Sequence, residues 1–507
     1  MTPDAGMPAL AEIQVSVVVV DGEDGPRPQA TLYFATGVLT RADVEHLAQH
    51  WCDALTGLAR HVTQPGAGGL TPSELPLVTV TQQDIEGWER RYGRLADVWP
   101  LTHEQSSMLR HTMRPDQAYD PYHVQMAFQV TGQVDAARLR AAGQTVLDRH
   151  ANLRVAVTRC ATGEPVQVVI DGVELPWHES DLSGLSEEDR ARALQELRLK
   201  DQAAHFDPAT PPLVRMTLVR LGQDRSELLL TASHLVFDGW SVPLLLQDLL
   251  RLYGSAADPS VLPKVRPYKD FLVWLAEQDR EASERVWADE LDGHGPTLLA
   301  QPSEGDPVDV DTVEVPVSTE TADALSRRAA QLSVTLNTVV QGAWASVLAD
   351  MTGRDDVVFG ATVSGRPPAV TGVDTMVGSF INTVPVRVRR SPDSTWDELL
   401  TELHDRQGRL LEHHQFARTD CHQADTQVVF QSFPMGRAEI REANTAAGIA
   451  ITGVSTVNGT RYPLVVGVTA DPHLSVTLAY QPHLFDRDTV AGLAERLAGT
   501  FARLGGR

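Results

Sequence analysis

Apolar residues recur along this chain with two different periods, and the alternation between them predicts mixed strand and helix structure. Near the start, an unbroken apolar run from Val15 to Val20 and then Thr31-Leu32-Tyr33-Phe34 read as strands. Val44, Leu47, Trp51, Leu55 and Leu58 follow at three- and four-residue spacing, which places them on one face of a helix. Between Gln64 and Pro72 glycine and proline are too dense for a regular element, so that run reads as a linker. Beyond it, Thr81 with Asp84 marks a helix start, and Thr102 with Gln105 forms a capping box that opens another. Strands are expected at Val124–Val130, Leu153–Thr158, Glu227–Ala232, Asp356–Val363 and Val384–Val388. Helices are expected at Asp135–Arg149, Ser186–Ala203, Val242–Tyr253, Thr321–Leu332, Thr338–Met351 and Trp396–Glu412. The last has Thr395 and Glu398 as a capping box, with Trp396, Leu399, Leu400, Leu403, Leu410 and Leu411 along one face. Such alternation implies a layered α/β or α+β architecture, with a Pro-rich hinge around Asp258–Pro267.

The first block resembles the end of the same chain. Aligned without gaps, Thr31 falls on Thr477, Leu32 on Leu478, Arg41 on Arg487, Val44 on Val490, Leu47 on Leu493, Ala48 on Ala494 and Leu58 on Leu504. Strand, turn and helix match in order, which predicts a partial duplication. On that reading residues 1–62 are the tail of a domain whose body lies outside this chain.

Composition narrows the class. With 507 residues, the length predicts about three compact units. The hydrophobic fraction of 42% is enough for genuine cores, which excludes wholesale disorder. No apolar run reaches membrane-spanning length, and MTPDAGMPALAE lacks a signal-peptide pattern, so a cytoplasmic location is expected. A net charge of −24 disfavours nucleic acid or an anionic membrane as partner. Cys52, Cys160 and Cys421 are scattered, which indicates neither a disulfide framework nor a metal site. Arginine greatly outnumbers lysine, which occurs only at 200, 264 and 269; this bias suggests a GC-rich bacterial genome.

The segment with the most chemistry is Glu227-Leu-Leu-Leu-Thr-Ala-Ser233-His234-Leu-Val-Phe-Asp238-Gly239-Trp240-Ser241. It begins as a buried strand and ends at Ser241, a good N-cap for the Leu-rich helix that follows. A His at a strand end is held by rigid backbone yet can face a cavity, and imidazole shuttles protons near neutrality. Asp238 can brace the loop by pairing with an arginine or with backbone N–H groups. Gly239 permits positive φ or close approach of a ligand to the backbone. Alone the signal is weak: about one His-x-x-x-Asp spacing is expected by chance in such a chain, and a strand-edge His is more often structural. His46 and His50, one helical turn apart, lack a third ligand and read as a solvated face. His413-His414 closes a helix and suits its C-terminal dipole.

Other segments change the weighing. His234 to Ser241 resembles the His-His-x-x-x-Asp-Gly core motif of nonribosomal peptide synthetase condensation domains, with the Trp240-Ser241 extension. The remaining family motifs have counterparts in the family's order. They are Leu101-Thr-His-Glu-Gln105-Ser-Ser-Met108-Leu109, Arg149-His150-Ala-Asn-Leu153-Arg154 and Tyr268-Lys-Asp270-Phe271-Leu-Val-Trp274. Then come Ser364-Gly365-Arg366-Pro367, Val377-Gly378-Ser-Phe380-Ile-Asn382-Thr383 and Arg461-Tyr-Pro463-Leu464. The resemblance covers residues 96–507.

The resemblance implies an α/β (α+β) fold of two chloramphenicol acetyltransferase-like lobes, a V-shaped pseudo-dimer with a central tunnel. It implies an N-terminal lobe at 96–265 and a C-terminal lobe at 266–507. Ahead of them would stand a connecting helix at 76–95 and, at 1–75, the tail and linker of an upstream condensation- or epimerization-like domain. It implies an acyltransferase of nonribosomal peptide (antibiotic) biosynthesis. Donor thioester and acceptor amine would arrive on the phosphopantetheine arms of donor and acceptor peptidyl carrier proteins, with no permanently bound cofactor and other synthetase modules as further partners. His234, Asp238 and Gly239 take the catalytic positions. Ser233, Trp240, Ser241, Arg154, Asn382 and Arg461 take tunnel or supporting ones. His234 acts as general base or orients the amine by a hydrogen bond. Backbone N–H groups at Gly239 and the start of the next helix meet the oxyanion. Asp238 is expected to pair with Arg154.

Two departures stand out. Ser233 replaces the first motif His, and His413-His-Gln415-Phe-Ala-Arg418 matches a later motif only in part. The Pro65–Val78 segment and the Gln105-Ser-Ser-Met-Leu variant lean toward a D-configured donor. Ester formation with a hydroxyl acceptor, and a non-catalytic recruitment platform, stay open as alternatives.

Overall fold

The computed structural model describes residues 11–22, 25–63, 68–112, 120–300, 310–391, 393–417, 423–431, 437–470 and 473–506. Cys421, Arg418, most of MTPDAGMPALAE and the Gln64–Ala67 part of the linker lie outside them. Two compact units divide the chain, Met1–Gly69 and Leu70–Arg507.

The first unit is a hairpin and a helix. Strands β1 (Ile13–Gly22) and β2 (Gly25–Phe34) pair antiparallel from Ile13↔Phe34 to Gly22↔Gly25. Helix α1 (Arg41–Val62) starts at a Thr40–Asp43 capping box. Its apolar stripe is barely covered: Val44 is buried, yet Leu47, Leu55 and Leu58 are 49%, 48% and 61% exposed.

The second unit opens with α2 (Gln82–Tyr92), capped by Thr81 and Asp84 as expected, then β3 (Leu95–Pro100), α3 (His103–Thr112), β4 (His123–Thr131) and α4 (Ala136–Arg149). Next come β5 (Val155–Arg159), β6 (Pro165–Ile170), β7 (Trp177–Asp181), α5 (Glu187–Gln202), β8 (Val214–Arg220), β9 (Arg225–Ser233) and α6 (Ser241–Gly254). Helices α7 (Tyr268–Ala276) and α8 (Arg280–Leu291) lead to β10 (Asp311–Val315), α9 (Thr319–Leu332), α10 (Leu336–Thr352), β11 (Asp356–Val363) and β12 (Asn382–Arg389). The chain closes with α11 (Trp396–Leu410), β13 (Thr426–Gln431), α12 (Arg437–Ala447), β14 (Ala450–Asn458), β15 (Leu464–Thr469), β16 (Ser475–Tyr480) and α13 (Arg487–Leu504).

Two lobes result, each an open sheet covered by helices and each with its own core. The first has sheet order β14-β4-β9-β8-β7 beside a smaller β3-β6-β5 sheet; the second has β10-β16-β15-β13-β11-β12. The cores are not consecutive in sequence. Strand β14, from late in the chain, adds to the first lobe by pairing with β4. The β11–β12 connection likewise sends Val370, Val373, Met376, Val377 and Phe380 into the first core.

The strand expected at Asp356–Val363 has those bounds, whereas the one expected from Leu153 begins at Val155. Residues Ala151–Arg154 form a 3-10 turn instead, because the Asn152 and Arg154 side chains bond to neighbouring backbone carbonyls. Helix α10, uncharged and apolar over most of its length, is the central buried helix of the second lobe. Among the described residues no single helix is long and apolar enough to cross a membrane.

Candidate active site

Strand β9 runs buried between β4 and β8 and delivers Ser233 and His234 to its C-terminal end. The turn to α6 that follows is held by side chains reaching its backbone carbonyls. Gln105 Nε2 of α3 donates to the Leu235 carbonyl at 2.7 Å, and Asn152 Nδ2 donates to that of Val236 at 2.6 Å. His234 Nδ1 lies 3.2 Å from the Phe237 carbonyl. Each bond fixes an otherwise orphaned acceptor and makes the loop rigid.

The His234 contact also sets the tautomer. A carbonyl only accepts, so Nδ1 carries the hydrogen and Nε2 is left as the basic nitrogen. The backbone N–H of His234 donates to the Tyr122 carbonyl at 2.9 Å. Burial holds the imidazole below its usual pKa of 6.5, so it is neutral at pH 7.

Asp238 is fully buried and pairs with Arg366, not with Arg154. Arg366 Nη2 lies 3.1 and 3.3 Å from the two carboxylate oxygens. Arg154 is engaged elsewhere: it donates to the carbonyls of Ile170 and Asp148 and pairs with Asp171 at 3.2 Å. Asp238 also accepts from the backbone N–H groups of Ser241 at 2.9 Å and Phe380 at 3.2 Å. Ser241 is therefore not the helix cap; it is the first residue of α6, after Trp240 at the cap position, and Asp238 takes up its N–H. The Ser241 hydroxyl donates to Asp238 at 2.7 Å and accepts from the Gly378 N–H at 3.0 Å. Trp240 Nε1 donates to the Asp374 carbonyl at 2.9 Å. Together these bonds tie the turn after β9 to the β11–β12 connection of the other lobe.

Gly239 needs no special backbone: its φ is not positive, and a Cβ added there would meet nothing within 4 Å. The glycine leaves open space next to the His234 loop. Ser233, in the first motif position, accepts from the Leu235 N–H at 3.3 Å. Across the β4–β9 ladder its neighbour is His123, whose ring is 6% exposed, packs on Phe206 and has neither nitrogen hydrogen-bonded. Burial drives the His123 pKa down to about 3.

The remaining predicted residues sit farther along the chain. Asn382 donates to the carbonyls of His414 at 2.6 Å and Ala417 at 3.3 Å, which fixes the partial motif's 3-10 turn against β12. Arg461 lies over the Tyr462 ring and reaches the Ser107 hydroxyl at 3.4 Å, joining the two lobes beside α3. His414 is driven down to about pKa 4 by burial, so it is neutral at pH 7 and does not serve a helix dipole as expected. Its neighbour His413 bonds the Ser283 hydroxyl at 2.9 Å.

Sequence reasoning missed Arg366 and Asn152 as loop-holding residues, although both lie inside recognisable motifs. It also missed a staple. Arg149 and His150 meet Asp248 of α6 at 2.9 and 3.0 Å, so that motif anchors the helix following the His234 loop.

The condensation-domain family model matches residues 95–504. Two polypeptides of linear gramicidin synthase from Brevibacillus parabrevis are similar to this chain. One is 30% identical over 492 residues, covering 94% of this chain and 6% of that protein. The other is 31% identical over 509 residues, covering 95% and 10%. The chain thus spans about a tenth or less of these relatives. The first condensation domain of the calcium-dependent antibiotic synthetase, in complex with a substrate analogue, superposes with TM-score 0.65 at 19% identity over 81% of this chain and 97% of that one. The condensation domain of the monacolin K polyketide synthase MokA gives 0.69 at 17%, over 82% and 98%. Matched by the family model and by these relatives over most of its length, the chain belongs to the condensation-domain family of nonribosomal peptide synthetases.

Proposed function

We propose that this chain forms an amide between a donor acyl or peptidyl thioester and an acceptor amine, both presented on phosphopantetheine arms of carrier proteins, with His234 moving the proton. The observation that carries this reading is the His234–Phe237 contact, which supplies a neutral imidazole with Nε2 unprotonated on a rigid loop. The acceptor nitrogen attacks the thioester carbonyl carbon. The tetrahedral nitrogen then sheds a proton to Nε2, the C–S bond breaks, and the leaving thiolate takes the proton back. Atoms and charge balance without an external reagent. Gly239 leaves room for the arm to approach, and Asp238 acts from behind the loop through Arg366.

Intact-mass measurement of the acceptor carrier, after mixing loaded carriers with the protein, tests the proposal. Transfer of donor mass to an amine acceptor is expected. His234→Ala should lower the rate about 10²–10⁴-fold while the protein stays folded. Undiminished transfer in that variant would sink the proton-transfer role.

A second reading is a non-catalytic platform. Ser233 favours it, together with the fold's likeness to the X-domain from teicoplanin biosynthesis, which has been seen in complex with OxyB (TM-score 0.64). No transfer with amine or hydroxyl acceptors, with tight binding to another enzyme, would select it. Transfer to a hydroxyl acceptor alone would make the product an ester.

A further inference from the structure

The hairpin and helix of the first unit repeat the last hairpin and helix of the chain in the same order, at one constant offset through β2 and α1, while the first hairpin is longer, with ten residues in β1 against six in β15. Strand pair β1–β2 has the register of β15–β16: Ile13↔Phe34, Val15↔Leu32 and Val17↔Ala30 correspond to Leu464↔Tyr480, Val466↔Leu478 and Val468↔Val476. Helix α1 begins at Arg41 after a capping Thr40, and α13 begins at Arg487 after a capping Asp486, with the same offset of 446 positions. The seven residues of α13 that are buried are Val490, Leu493, Ala494, Leu497, Thr500, Phe501 and Leu504. At the same offset α1 carries Val44, Leu47, Ala48, Trp51, Ala54, Leu55 and Leu58, apolar at all seven places.

Burial is where the copies part. In the C-terminal copy these residues lie against α10 and α9, and β10 pairs with the free edge of β16. In the N-terminal copy Val44 is buried but Leu47, Ala54, Leu55 and Leu58 of the same stripe are exposed, Val15, Val17 and Val19 are 46%, 52% and 69% exposed, and β2 has β1 as its one strand partner among the described residues. Exposed apolar stripes of this extent on a helix and sheet together mark an interaction surface. The alignments to the gramicidin synthase polypeptides cover more of the chain than the family model does and so extend into this unit.

We propose that residues 13–62 dock into a second condensation-fold body. They supply its last hairpin and helix, and that body covers the α1 stripe with helices equivalent to α9 and α10 and extends β2 with a strand equivalent to β10. The occupant is a protein body of this same fold that lacks its own final β-hairpin and helix. The docking does not depend on the catalytic reading of His234.

A tandem chain tests this, with residues 70–463 joined ahead of residue 13 of the full protein so that β1, β2 and α1 stand where β15, β16 and α13 normally follow. Amide hydrogen exchange of the Arg41–Val62 peptides, which occur once in the tandem, is compared with the parent chain. Exchange about a hundredfold slower in the tandem is expected, with L47D/L55D restoring the parent rate. Equal exchange in tandem and parent overturns the proposal, as does a tandem that precipitates while the parent stays soluble. Protection already present in the parent and rising with its concentration assigns the surface to a second copy, and likewise overturns it.

Discussion

Replacing Arg366 by methionine leaves the Asp238 carboxylate buried among backbone N–H groups without its counter-ion. Breaking one side of a buried pair costs about 3–5 kcal/mol, so the urea midpoint of R366M should fall steeply, and amide formation with it. A midpoint within error of the parent would show that the pair holds nothing together. At His234 the sign follows from burial. A pKa lowered below 6.5 keeps the ring neutral as the solution becomes mildly acidic, so the His234 ring, followed by NMR, should titrate with a midpoint below pH 6.5. A midpoint at or above 6.5 contradicts that environment. His123 offers the opposite experiment: both ring nitrogens are buried without partners, so His123→Phe should raise stability by about 1–2 kcal/mol in thermal or urea unfolding.

At the scale of elements, the β11–β12 connection acts as a strap. It leaves the second lobe at Val363, carries Arg366 to Asp238, buries five apolar side chains in the first core and returns at Asn382. Helix α7 clasps it through the Tyr268 hydroxyl, which donates to the Ser379 carbonyl at 2.7 Å. Gly365 begins the strap with φ +62°, and a Cβ there would overlap the Phe380 carbonyl oxygen. Gly365→Ala should therefore unseat the strap, with a large drop in melting temperature and loss of transfer, whereas Gly372→Ala, also at positive φ but with looser surroundings, should cost far less. Much at this scale is legible in the sequence because it is local. The capping boxes at Thr102–Gln105 and Thr395–Glu398 form as read, and the helix start read at Thr81 with Asp84 is one as well, since donor and acceptor are three residues apart. The Asp238–Arg366 pair is not legible, because its members are 128 positions apart and several arginines, Arg154 among them, are equal candidates by type. Likewise Ser241 reads as a cap on residue preference alone, and tertiary contact with Gly378 recruits it elsewhere.

The whole molecule has a built-in acid limit. His123 is held down to about pKa 3 and His414 to about 4, while in the unfolded chain both titrate near 6.5. The unfolded state therefore takes up protons that the native state refuses. Stability contributed by this difference is complete above about pH 6.5 and is lost as the pH falls toward about 4 and about 3. His123→Phe should flatten the measured slope of unfolding free energy against pH by about 1.4 kcal/mol per pH unit in that range. An unchanged slope would show that His123 protonates freely in the folded protein. The sheet topology carries a separate consequence, for anyone who recombines synthetases. Because β14 crosses back to the first sheet and the strap crosses into the first core, the two lobes are laced together rather than strung in series. A splice between donor sequences placed at the Pro-rich stretch around 258–267 would leave the first lobe with an edge strand and a strap evolved for another parent. Viable exchange points lie outside the lacing, near residue 70 and past α13, so this domain is heritable in engineering terms as one indivisible cassette.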